Sequence, residues 1–242
     1  MRFSSTGFIY RADARQINCY SFDNTMNNKD TNNEWEQWWN ARVAAMKSLY
    51  GEMDSNVGHS PIPFDMGAEI GGGADVVYFK NFVPGIVAVT SELIGRNDQQ
   101  PNELGNYELA ICTRVEEPWA PSLISRLAHY TLEATLSPGE TMDIGPALPE
   151  GSTIGAFLFV DFGRFKVMGR EAGVLLCLGI TSEELDACHA GHREQVESAL
   201  RSNSIYPFTD LKRGSVALPK TKKSWWKQWG LRDTHKMNGQ SE

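Results

Sequence analysis

From residue 34 onward, apolar and polar positions recur with periods that divide the chain into helices and strands. In EWEQWWNARVAAMKSLY, Trp35, Trp38, Trp39, Val43, Met46 and Leu49 fall at helical spacing, with Asn33 and Glu36 placed as a capping box. Ahead of this helix, residues 7–10 read as a short strand. FDNTMNNKDTNN, rich in Asn and poor in apolar side chains, reads as a mobile linker. Residues 1–33 are therefore expected to form a partly disordered extension.

After the helix, GHSPIP and EIGGGAD are turn-rich, and β-branched and aromatic runs at 76–80 and 85–92 predict two strands. NYELAICTRV alternates strictly: Tyr107, Leu109, Ile111 and Thr113 share one face, and Glu108, Ala110, Cys112 and Arg114 the other. That pattern predicts a central strand. Pro118 and Pro121 open a stripe of Leu123, Ile124, Leu127, Ala128 and Thr131 that predicts a helix over 119–132, packed on the sheet. Residues 153–160, 162–167 and 173–180 predict three more strands, the last apolar enough for burial on both faces. Thr181 and Glu184 form a capping box for a helix running to about residue 201, with Leu185, Cys188, Val196 and Leu200 on its inner side. No internal repeat or sustained heptad appears. The order of elements predicts an α+β or mixed α/β fold, a central sheet with helices packed on it.

Composition narrows this further. The 242 residues are 41% hydrophobic and 22% charged, enough for one core in a single domain with tails. No run approaches the roughly 18 apolar residues of a membrane span, and the N-terminus lacks the apolar segment of a secretion signal, so a cytoplasmic location is expected. Cys19, Cys112, Cys177 and Cys188 form no C-x-x-C pair and read as reduced thiols. The net charge of −7 hides an asymmetry: residues 1–211 carry −13, and residues 212–242 carry +6. An acidic body repels nucleic acid and attracts basic proteins.

The candidate catalytic constellations are thin. Gly71, Gly72 and Gly73 lack the phosphate-loop spacing, and a strand follows them where a helix would be required, so they read as a turn. Cys188 and His192, at i and i+4, could present two metal ligands but have no companion pair in the sequence. His129 and Glu133 share a helix face, as solvent-facing pairs often do. Glu108 and Arg114 suit a structural ion-pair network. Neither an activated nucleophile nor a cofactor motif is read, so the chain is taken as a non-enzyme without cofactor or metal. The tail, residues 217–242, contains KTKKSWWKQWGLR, where Trp225, Trp226 and Trp229 would form one face of a short helix ringed by lysines. Docking on the chain's own acidic body, in a partner's groove, or at a membrane surface would each suit it.

Taken together, WWNARVAAMKSLYG, GIVAVTSEL, GNYELAICTRVEEPWAPSLISRLAHYTLE, GETMDIGPAL, LLCLGITSEEL and YPFTDLKRGSV resemble, in order as well as wording, the suppressor of fused domain family in its bacterial form, over residues 34–216. The resemblance implies a mixed α/β domain without catalytic residues. In animals such domains sequester a transcription factor. For the bacterial form it implies an immunity protein in polymorphic toxin systems, masking a basic toxin or regulator. The second domain of the animal proteins has no counterpart here. Glu92, Glu108, Arg114, Asp210 and Arg213, polar positions inside these motifs, are the candidate contact residues, although such charges also cap or bridge elements. An enzyme acting on a small molecule, or a peripheral membrane adaptor working through the Trp/Lys tail, are the alternatives.

Overall fold

Residues 9–10 and 28–218 are described in the computed structural model of the chain, where the strand Ile9–Tyr10 (β1) is followed by the helix Asn28–Tyr50 (α1). The helix starts five residues ahead of Asn33, so Asn33 is not its N-cap, and the second half of the expected linker is helical. Once apolar turns nucleate a helix, each further residue adds a hydrogen bond, and a polar run can be carried along. Residues 21–27, Cys19 and the Trp-rich segment 219–242 lie outside the described residues.

Strands Met53–His59 (β2), Val76–Phe79 (β3), Ile86–Thr90 (β4) and Asn106–Thr113 (β5) follow, each antiparallel to the one before. The helices Trp119–Leu127 (α2) and Tyr130–Glu133 (α3) then lead to the strands Thr141–Asp143 (β6), Ile154–Val167 (β7) and Arg170–Thr181 (β8). The chain closes with the helices Ser182–Ala187 (α4) and Arg193–Ser202 (α5). One sheet results, in the order β1-β2-β3-β4-β5-β8-β7-β6, with β5 and β8 parallel at its centre. The fold is mixed α/β, as expected.

The alternation in β5 sorts two cores. Tyr107, Leu109 and Ile111 face Ala120, Ile124 and Ala128 of the α2 side. Ala110 and Cys112 face Met46 and Tyr50 of α1 and Val196 and Leu200 of α5. With helices on both faces, the central strands are buried on both sides, and β8 is buried along most of its length. Cys112 and Cys177 are free and buried, one in each core, and burial pushes both thiols well up.

Three further expected elements depart from the sequence reading. The two strands expected at 153–167 are one: β7 passes through a bulge between Asp161 and Gly163, stitched by the Gly163 N–H donating to Asp161 Oδ1 at 3.1 Å. A side chain at Gly163 would collide with Leu49, so the missing Cβ lets α1 lie close on the bulge. The helix expected over 119–132 is interrupted after Leu127 and resumes as α3, with Ala128 and His129 keeping helical dihedrals at the join and His129 stacked on Phe64 at 4.1 Å. The helix expected from Thr181 to 201 breaks at the π turn Cys188–His192, where Gly191 takes φ +84°. Cys188 and His192 therefore do not share a regular i, i+4 face. The capping box that starts this segment is present, with Thr181 and Glu184 bonding reciprocally.

Candidate protein-binding site

The sheet ends at β6, a strand of only three residues. On its inner side Phe159 N–H donates to Glu140 O at 2.9 Å and Ile144 N–H to Gly155 O at 2.9 Å. By the two-residue period of an antiparallel ladder, Met142 faces β7 in the hydrogen-bonding direction, while Thr141 and Asp143 turn their N–H and C=O outward. These groups are a template for another extended strand. Beside them opens a cleft of about 860 Å³. Its lining is more polar than apolar: Tyr130 and Met142 stand beside Thr135, Glu140, Arg193 and Glu194 over the buried Leu136 and Phe159, and the π turn forms its far wall, with His189 Nε2 3.4 Å from Thr141 Oγ1. Tyr130 is 42% exposed there, large for an aromatic side chain. Cys188 also lines the cleft, but burial and then the nearby Glu184 carboxylate push its thiol up, the wrong direction for a nucleophile.

The candidate contact residues do not meet at this cleft. Glu108 is fully buried: Oε1 accepts from Leu93 N–H and Ile94 N–H, both at 2.9 Å, and Oε2 from Thr90 Oγ1 at 2.7 Å. Arg42 of α1, 4% exposed, donates to Ile94 O at 2.7 Å in the same network. Glu92 accepts the Asp75 N–H at 2.7 Å, and Asp75 Oδ2 lies 2.7 Å from His59 Nδ1. So Glu92 and Glu108 knit α1, β3 and the turn after β4 together. Arg114 is exposed, and Glu108 is not its partner: it donates to Ser204 O at 2.7 Å and lies 4.3 Å over the Phe208 ring. Asp210 is exposed and holds a turn through the Lys212 N–H at 2.9 Å. Arg213 is buried in a two-pronged pair with Glu184, at 2.6 and 2.7 Å. Burial alone would raise the Glu184 pKa, but Arg213 and the N–H groups of Thr181 and Val216 hold it below the ordinary value.

Burial, with the neighbouring Asp75 charge, pushes Glu92 from 4.5 to about 7. A carboxyl whose folded pKa is raised binds its proton more tightly in the fold, so the stability it contributes is lost as pH climbs from 4.5 through 7. Glu92→Gln keeps the acceptor for Asp75 N–H and removes that loss. It is expected to match the wild type at pH 5 and exceed it at pH 8 by on the order of 1–3 kcal/mol in urea unfolding. Equal stability at both pH values would contradict the assignment.

The β6 edge left little trace in the sequence. TMD is too short to show a period, and only the Gly-Pro turns around it mark a boundary. Comparison with known proteins now places the fold. The model of the suppressor of fused protein family matches residues 75–214. No curated protein matches the chain. Among solved structures, a suppressor of fused homologue from Neisseria gonorrhoeae FA 1090 aligns with a TM-score of 0.52 at 18% identity, covering 76% of this chain and 99% of that one. A chain of the Sufu–Fu complex aligns with a TM-score of 0.50 at 11% identity, covering 74% and 91%. With the family match spanning more than half of its length, the chain belongs to the suppressor of fused family.

Proposed function

We propose that the chain is a non-catalytic protein-binding domain that sequesters a basic protein, serving as an immunity protein or regulator in a bacterial toxin system and acting in the cytoplasm. The observation that carries this reading is the open β6 edge beside a largely polar cleft that exposes Tyr130. Backbone groups there give affinity for an extended segment, and the pocket gives side-chain choice. Support for a basic partner comes from the charge of −13 over residues 1–211, and support for a protein partner from the solved complex of the related Sufu with Fu. Among the described residues no helix is long and apolar enough to cross a membrane.

The reading is tested by capturing partners from the native lysate with the full chain and with Thr141→Pro, eluting with rising salt. Proline at 141 removes an outward-facing N–H, together with the Thr141 hydroxyl beside His189, and leaves the Met142 pairing with Phe157 in place. A basic protein held at low salt by the wild type, and retained at least about tenfold less by the variant at equal fold stability, is expected. Capture of no basic protein at low salt would sink the sequestration reading; equal capture by both chains would remove the edge from it.

A further inference from the structure

The cleft beside β6 has a ready occupant in the chain itself. We propose that residues 220–230 of the C-terminal segment dock in it, with Trp225, Trp226 and Trp229 against Tyr130 and Met142, so that the tail competes with a partner for the open edge. The competition rests on the reading of that edge as a binding site; the docking itself does not.

The exit of the chain supports this. Val216 N–H donates to Glu184 Oε1 at 2.8 Å, and Ser215 Oγ lies 2.9 Å from Thr181 Oγ1. Val216 and Leu218 pack against the same core as Leu185 and Cys188. Cys188 is a cleft residue one helical turn beyond Glu184, a rise of roughly 6 Å. Trp225 follows Leu218 by seven residues, a reach of about 23–25 Å when extended. That span is several times the rise from Glu184, to which Val216 is bonded, to Cys188 at the cleft, and leaves length to round the β6 edge to Met142 on the other sheet face.

Charge points the same way. Residues 219–242 hold six Lys/Arg and two Asp/Glu. The exposed carboxylates of Glu133, Glu140, Asp143, Glu183, Asp186 and Glu194 lie on the cleft or on elements bordering it. Arg193 is the Lys/Arg side chain among its described lining residues. Trp225, Trp226 and Trp229 are interleaved with Lys222, Lys223 and Lys227, so one short segment carries both the rings for the cleft and the cations for its carboxylates. Carboxylates around a cleft that exposes Tyr130 and part of Met142 are the complement of that segment.

The test is zero-length carbodiimide cross-linking of the full chain, using an equal mixture of ordinary and nitrogen-15-labelled protein. Links from Lys220, Lys222, Lys223 or Lys227 to Glu140, Asp143, Asp186 or Glu194 within single-isotope peptide pairs are expected. They should fall at least about fivefold in the Trp225→Ala/Trp226→Ala/Trp229→Ala variant and again at high salt. Mixed-isotope links alone would assign the tail to a second copy. Links to carboxylates remote from the cleft, such as Asp65 or Glu103, would overturn the proposal, as would links undiminished in the Trp variant. Absence of links with tight binding to phosphatidylserine vesicles would give the tail to a lipid surface and overturn it too. No partner is needed, so this result and the lysate capture fail independently.

Discussion

Replacing Arg213 by methionine is expected to destabilise the fold by about 3–5 kcal/mol at pH 7, the loss characteristic of stripping the counter-ion from a buried pair. The side chains are 7% and 1% exposed, so water cannot take over from the guanidinium. Arg213 also donates to Gly179 O at 2.8 Å and thereby ties the C-terminal strap to β8. In the wild type the Glu184 pKa is depressed, so its contribution is full above the ordinary carboxylate range and is lost as the pH falls through the folded value. Without Arg213 burial acts against only the Thr181 and Val216 N–H groups, so the folded pKa moves up and the variant is expected to lose more stability than the wild type as pH increases. Urea unfolding at pH 5 and pH 8 measures both effects. Glu184→Gln added to the Arg213 variant should recover much of the loss, because the amide removes the stranded charge and still accepts from a backbone N–H. A single-variant loss below about 1 kcal/mol would mean that the strap is not held by this pair.

The second large effect is at Glu108. Glu108→Leu leaves two backbone N–H groups and the Thr90 hydroxyl without their acceptor in a fully buried place, each at about 1–3 kcal/mol. It also removes the negative charge that favours ionised Arg42, whose own pKa burial lowers. A total loss of roughly 3–6 kcal/mol is expected, with amide exchange at Leu93 and Ile94 accelerating before global unfolding. Glu108→Gln retains one acceptor oxygen, and Thr90 Oγ1, which already accepts Leu109 N–H, can accept from the amide as well. More than half the stability should return. Slow exchange at Leu93 and Ile94 in Glu108→Leu would show that the turn is held by other means.

The sequence carried the two-sided burial of the central strands because apolar side chains on both faces leave a plain signature in β5 and β8. It could not carry what Glu108 does. A polar residue on an alternating strand looks the same whether it faces water or, as here, three converging donors supplied by residues 90–94. Glu108 and Arg114 were read on one strand face, yet the strand ends between them, and Arg114 follows the 204–208 turn instead. β2 and β6 were missed for a different reason. MDSNVGH and TMD lie toward the margins of the sheet, where burial is partial and a short strand needs no apolar period. The break at Gly191 had a signal, since glycine near the middle of a helix often marks a left-handed residue.

The strand order also carries a consequence for assembly. β2 to β5 are a local meander, and so are β6 to β8; each can form from neighbours in sequence. A single parallel seam, Asn106–Ala110 against Ala172–Leu176, zips them together across some 66 residues of chain. Closing that interval carries a loop-entropy penalty that neither half meets alone. The seam is therefore expected to close late in building the sheet. Until it closes, β5 and β8 each present an unpaired, strongly apolar edge, an aggregation-exposed condition.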